Sequence, residues 1–158
     1  MKILILGAGA VGLSVAAKLS RVADVHAVCR KKCADAIATE GFAMTGIWGE
    51  DTFRFSAAET VPEKGRFDYI IITAKSQDTE AICRQYAGLI HDTETVSLQN
   101  GIGNEEIISR FTDRVIGGMI ITGFEWRSDG AVHVSVEAGP LKVGRFPEGL
   151  DEPVTRLA

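Results

Sequence analysis

The chain opens on an unbroken apolar run. Lys2-Ile3-Leu4-Ile5-Leu6 has no polar alternation after its first residue, the pattern of a strand buried on both faces. The period then lengthens. Leu13, Val15, Ala16, Ala17 and Leu19 predict a helix that is apolar on most sides and packs on a sheet. Short apolar runs and helical stretches keep alternating after that. Asp24 to Cys29 reads as a second strand, and Lys31 to Glu40 as a short helix stopped by Gly41. Phe67 to Thr73 is another buried strand, followed by a helix from about Asp78 to Ile90. Thr95 to Leu98 is a strand, and Asn104 to Phe111 suits a helix with Glu105 and Glu106 in its first turn.

Two regions follow a different rhythm. Phe42 to Phe55 alternates apolar and polar residues around Gly46 and Gly49, which predicts short strands or a hairpin over one edge of the sheet. Ser56 to Arg66 carries Pro62 and Gly65 and reads as loop. Val115 to Trp126 is apolar and glycine-rich, Asp129-Gly130 is a hairpin signal, and Ala131 to Val136 alternates like a strand. Leu141 to Gly144 is one more short strand. Together these predict antiparallel strands finishing one side of the sheet. At the end, Asp151-Glu152-Pro153-Val154 has the acids and the early proline of a helix start. The chain stops before two turns are complete, so the expectation is a piece of a longer protein. Residues 1–150 are expected to form one domain, with residues 151–158 opening the next helix.

Composition narrows the class. A chain of 158 residues can bury a core, and its 46% apolar and 24% charged residues are ordinary for a globular domain. The net charge of −4 argues against a nucleic-acid partner, and Arg30-Lys31-Lys32 is the one basic run that stands out. No apolar segment reaches transmembrane length, and the opening run is too short and glycine-broken for a signal peptide. A cytoplasmic protein with no membrane partner is expected. Cys29, Cys33 and Cys83 form no C-x-x-C pair, which argues against a disulfide framework or a zinc site. Cys29 and Cys83 read as small core residues. His26, His91 and His133 lack metal-ligand spacing, so no metal is expected.

Candidate chemistry begins directly after the first strand. Gly7-Ala8-Gly9-Ala10-Val11-Gly12 spells G-x-G-x-x-G between a strand and a helix, the context that gives the motif meaning. Gly7 allows a sharp turn, Gly9 lets a pyrophosphate approach the main chain, and Gly12 lets the helix pack closely on the strand. The helix N-terminus offers free N–H groups to phosphates. The fold predicted is α/β, a Rossmann-type doubly wound, mostly parallel sheet. Arg30 ends the second strand, eighteen residues after Gly12. An acid there would receive the ribose 2′-hydroxyl of NAD; a guanidinium instead suits the 2′-phosphate of NADP. Lys31 and Lys32 stand behind it, and no carboxylate competes. Two further strands end in polar residues: Lys75 after Thr73-Ala74, and Asn100 in Gln99-Asn100-Gly101-Ile102-Gly103. Open parallel sheets bind ligands at such ends, which places Lys75 near the cofactor.

These residues together resemble the amino-terminal domain of the ketopantoate reductase family. The resemblance rests on residues 7–12, Arg30, Thr73-Ala74-Lys75, Gln99 to Gly103, Gly117-Gly118 and Ser128-Asp129-Gly130-Ala131-Val132-His133. It extends to Gly139-Pro140-Leu141-Lys142-Val143-Gly144 near the close. It implies NADPH-dependent reduction of ketopantoate to pantoate, on the way to coenzyme A. By the family pattern Gly7, Ala8, Gly9, Ala10, Val11 and Gly12 hold the pyrophosphate and Arg30 the 2′-phosphate. Lys75 lies by the nicotinamide end, and Asn100 contacts cofactor and substrate. The general acid is expected in a second, helical domain absent from this chain, so no catalytic residue is assigned here and little turnover is expected of the chain alone. Glu125-Trp126 stands where the family commonly has smaller residues.

Two other readings fit the same loop. One is an NADP-dependent dehydrogenase of another small 2-oxo acid, since substrate choice lies mostly in the missing half. The other is a nucleotide-sensing Rossmann module, which would need neither Lys75 nor Asn100 and which Arg30 disfavours. An apolar face exposed by loss of a domain predicts self-association, a homodimer being the simplest form.

Overall fold

The computed structural model describes residues 1–62 and 65–158. Its first elements follow the apolar pattern almost residue for residue. They are β1 (Lys2–Leu6), α1 (Ala10–Leu19), β2 (Asp24–Val28) and α2 (Lys31–Glu40). After the segments taken up below come β6 (Tyr69–Ile72), a 3₁₀ turn over Ser76–Asp78, α3 (Thr79–Gln85) and α4 (Ala87–Ile90). The single predicted helix over 78–90 is therefore broken at Tyr86, whose φ of −112° and ψ of 22° leave the helical region. Next stand β7 (Glu94–Ser97), α5 (Asn104–Ile108) and β8 (Val115–Met119).

These strands make one seven-stranded sheet with the order β11-β8-β7-β6-β1-β2-β5, where β5 is Ser56–Ala58 and β11 is Lys142–Arg145. All pairs are parallel except β11 on β8. The chain builds outward from β1 in one direction through β2 and then restarts at β6 on its other side. The order thus reverses between β1 and β6, which is where doubly wound sheets open a crevice. Side chains of β1 divide by parity. Ile3 and Ile5 enter the core shared with α1 and α2, and Leu4 and Leu6 the core shared with α3, α4 and α5. All four are fully buried, which is why the run shows no polar alternation.

Three expectations need correction. Phe42 to Phe55 does form a hairpin, β3 (Phe42–Gly46) with β4 (Asp51–Phe53), but it does not lie on the edge of the main sheet. It joins β9 (Thr122–Ser128) and β10 (Ala131–Glu137) in a separate four-stranded sheet, β4-β3-β10-β9. Parallel pairing of β3 with β10 ties segments some ninety residues apart, a register no local pattern reports. Second, only β11 supplies an antiparallel edge to the main sheet; β8 is parallel, and β9 and β10 leave for the second sheet. Third, the expected loop from Ser56 contains β5, which pairs with β2 through His26, Ala27 and Val28. Positions 63–64 of that loop lie outside the described residues.

The second sheet packs over α1. Phe42, Met44, Phe53, Val132 and Val134 join the core of α1 and α2, and Trp48 meets Phe124 edge to face at 5.2 Å between centroids. Cys29, Cys33 and Cys83 are buried free thiols. His26 is buried between the Ser56 hydroxyl at 2.7 Å and the Thr60 carbonyl at 3.1 Å, a structural role. The last helix, α6 (Glu152–Leu157), begins as its residues predict: the Asp151 carboxylate accepts the Val154 N–H at 3.1 Å, with Pro153 in the first turn. Among the described residues no helix is long and apolar enough to cross a membrane, and no group of three or more His, Cys, Asp and Glu is placed to hold a metal.

Candidate functional site

A cleft of about 820 Å³ lies at the carboxyl ends of β1, β2, β5 and β6. Its floor is the glycine turn. The Ala8 N–H donates to the Val28 carbonyl at 3.0 Å and the Gly9 N–H to the Gly7 carbonyl at 2.9 Å, so the turn is tied to β2 and closed on itself. Helix α1 then starts at Gly9 with no side-chain cap and no acid in its first turn. The N–H groups of that first turn have no intrahelical acceptor, and the turn follows directly on Gly9, which lines the cleft.

The three glycines are required for three different reasons. Gly7 has φ +73°, and a Cβ there would collide with Ala74 on the loop after β6. A Cβ on Gly12 would strike the Thr73 hydroxyl, so α1 sits directly on β6. Gly9 faces nothing within 4 Å. Its hydrogen in place of a side chain serves no packing purpose inside the protein; it keeps the space above the backbone open. A pyrophosphate approaching the main chain uses that kind of space, so the residues present fit a dinucleotide. Ala10 and Val11 are half-buried in the first turn of α1, and Gly12 is buried beneath it.

Arg30 and Lys75 line the same cleft as Gly7, Ala8 and Gly9. Both are exposed, at the ends of β2 and β6 respectively. The guanidinium of Arg30 lies over the ring of Trp126 of β9, 5.7 Å from the ring centroid. The fold brings a carboxylate to the same cleft as Arg30, with no ion pair between them among the described residues. Glu59, one residue beyond β5, lines the cleft too. Its position follows from pairing: the Cys29 N–H donates to the Ala58 carbonyl at 2.9 Å, which sets Glu59 beside the end of β2. Ser56-Ala57-Ala58 has no β-branched residue, so nothing local marked it as a strand.

Cys29 also borders the cleft, but burial, with a smaller contribution from Cys33, pushes its thiol up to about 11. It is not a nucleophile at neutral pH.

Asn100 is not among the residues lining the cleft. It is exposed on the loop after β7, next to the loop that carries Lys75. A buried polar network joins these two loops. Gln99 donates through Nε2 to the Ala74 carbonyl at 2.8 Å and to the Thr79 hydroxyl at 2.9 Å. The Thr79 hydroxyl donates to Asn104 Oδ1 at 2.9 Å, and Asn104 Nδ2 donates to the Ser76 hydroxyl at 3.2 Å. The Ser76 hydroxyl in turn donates to the Asn100 carbonyl. Asn104, Gln99 and Thr79 are buried. The sequence pattern marks Asn100 and Lys75 and includes Gln99 in the same stretch, but passes over Thr79, Asn104 and Ser76 as partners that tie the two loops together.

Comparison with known proteins agrees with this geometry. Residues 3–148 match the family model described as ketopantoate reductase PanE/ApbA. The 2-dehydropantoate 2-reductase of Pyrococcus horikoshii is 35% identical over 159 aligned residues, covering 99% of this chain and 52% of that protein. The chain thus spans about half the length of the curated relatives it matches. The crystal structure of 2-dehydropantoate 2-reductase from Geobacter metallireducens superposes with a TM-score of 0.88 at 31% identity, over 100% of this chain and 54% of that one. The ternary structure of D-mandelate dehydrogenase with NADH and anilino(oxo)acetate superposes with a TM-score of 0.80 at 25% identity, over 94% of this chain and 50% of that one.

Proposed function

We propose that this chain, which belongs to the ketopantoate reductase family, is the NADP(H)-holding part of a reductase that converts ketopantoate to pantoate. One observation carries the reading: a single cleft at the reversal of strand order is bordered by the open backbone of Gly9, by Arg30 and by Lys75. The family match supports a nicotinamide dinucleotide as the ligand, and the residue types favour its phosphorylated form. Gly7, Ala8, Gly9, Ala10, Val11 and Gly12 hold the two central phosphates, the N–H groups at the start of α1 being the ones left without an acceptor inside the helix. Arg30 presents a planar fork of donors to a 2′-phosphate, a contact that the 2′-hydroxyl of NADH does not provide. Lys75, a cation at the end of β6, faces the same phosphate-bearing ligand from the other wall. Asn100 is assigned to the rim, reaching cofactor and substrate from the neighbouring loop rather than from the wall itself.

When bound, the dinucleotide supplies the hydride that reduces the keto carbon. The chain's own residues hold and orient it. No residue here is assigned as the proton donor; we place that group in the half of the relatives that this chain does not span. On this reading the chain binds cofactor but turns over little 2-oxo acid alone. The reaction is placed in the cytoplasm.

The likeness to D-mandelate dehydrogenase favours a second reading, in which the substrate is another small 2-oxo acid. Titration separates the levels of the claim. NADPH should bind more tightly than NADH. Arg30→Ala should cost about 1.5–3 kcal/mol of NADPH affinity and leave NADH nearly unchanged. Equal binding of both by the unmodified chain refutes the NADP assignment. A panel of 2-oxo acids offered to the full-length enzyme then decides the substrate.

A further inference from the structure

We infer that Trp126 is a positioning residue for Arg30, and so a determinant of the choice between phosphorylated and unphosphorylated adenosine. The inference deepens the NADP(H) reading above and rests on it.

Arg30 is exposed and, among the described residues, has no salt-bridge partner. A side chain of that length, free in water, samples many rotamers and loses that freedom when it grips a phosphate. Glu59 on the same cleft offers it a competing partner. The guanidinium lies over the face of Trp126, 5.7 Å from the ring centroid, with the Cys33 thiol as a polar neighbour. A contact with a ring face restricts the guanidinium, and the N–H edge not engaged by the neighbouring Cys33 stays available. That edge is the part that forks a phosphate.

The placement of Trp126 is not incidental to its strand. Phe124 and Trp126 project from the same face of β9, two residues apart, in regular register with Val134 and Val132 of β10. Phe124 packs into the core against Trp48. Trp126 continues that line past the core edge to the start of α2. The turn of the same hairpin is fastened to α2 as well: Cys33 Sγ lies 3.9 Å from Asp129 Oδ1, and a Cβ on Gly130 would come within 3.2 Å of Ala36. The second sheet therefore grips the helix whose first residue follows Arg30.

The test compares NADPH and NADH affinities of the unmodified chain with Trp126→Leu and Trp126→Phe. An exposed cation–π contact corresponds to about two- to fivefold in affinity. Trp126→Leu should weaken NADPH by that factor and leave NADH unchanged, and Trp126→Phe should restore most of the loss. A merely structural role would weaken both cofactors together and would not be rescued selectively. If Trp126→Leu does not fold, the unmodified protein still answers. Its Trp126 indole N–H resonance should shift with adenosine 2′,5′-bisphosphate and stay in place with AMP. An unmodified chain that prefers NADPH but shows an unchanged ratio in Trp126→Leu, or an indole resonance indifferent to the bisphosphate, overturns the role of Trp126 alone. An unmodified chain with no preference overturns the underlying NADP reading first.

Discussion

The two walls of the cleft are held by opposite kinds of force. On the side of β1, the glycine turn is fixed by the absence of side chains: Gly7 and Gly12 let the turn and α1 lie directly against Thr73 and Ala74. Across the crevice, the loops after β6 and β7 are fixed by side chains: Gln99, Thr79, Asn104 and Ser76 form a hydrogen-bonded chain behind Lys75 and Asn100. Close packing tolerates almost no change in volume, whereas a polar network fails by leaving a buried group unpaired. The first wall should be brittle and the second graded.

The sharpest way to break this contrast is Gly7→Val. It forces a β-branched residue to φ +73° and drives a side chain into Ala74. A loss of about 3 kcal/mol or more is expected by urea denaturation. A smaller loss would mean that the turn relaxes and is not packed as described. Asn104→Ala tests the other wall. It strips the Thr79 hydroxyl and the Ser76 hydroxyl of a buried partner and should cost about 1–3 kcal/mol, with the sheet intact by circular dichroism.

Gly9→Ala isolates function within the brittle wall. Its added methyl meets nothing in the protein, so stability should change by less than about 1 kcal/mol. NADPH affinity should nevertheless fall by about tenfold or more, near 1.4 kcal/mol, read by fluorescence titration. Undiminished binding would remove the pyrophosphate from the space above Gly9.

The finest probe is thiol labelling, because one buried cysteine lies near each wall. Burial pushes both Cys29 and Cys83 up to about 11, so at neutral pH both are protonated and slow to alkylate. Each thiol binds its proton more tightly folded than unfolded, so stability present below about pH 8.5 is lost as pH rises toward the folded value. Asn104→Ala should hasten labelling of Cys83, on the helix that carries Thr79, more than that of Cys29. Equal acceleration would show that the walls open together.

Much of the molecule was legible because it is local. Ile3 to Leu6, the tight turn at Gly7, the close packing at Gly12, and Asp151 with Pro153 each announce their place in the fold within a short window. A strand buried on both faces cannot carry polar alternation, and a helix start needs its cap within three residues. Those constraints act on neighbours in the chain, so the residues record them.

Tertiary structure alone decided the rest. The pairing of β3 with β10, the arrival of Glu59 on the cleft of Arg30, the approach of Trp126 to Arg30 and the chain from Gln99 to Ser76 all join residues twenty or more positions apart. Nothing in Ser56-Ala57-Ala58 or around Trp126 differs from an ordinary loop or hairpin until the partner strand is in place. The chain's own order specifies which groups are available for the cleft; only the meeting of distant segments, where burial and hydrogen bonding are finally satisfied, specifies which of them face one another.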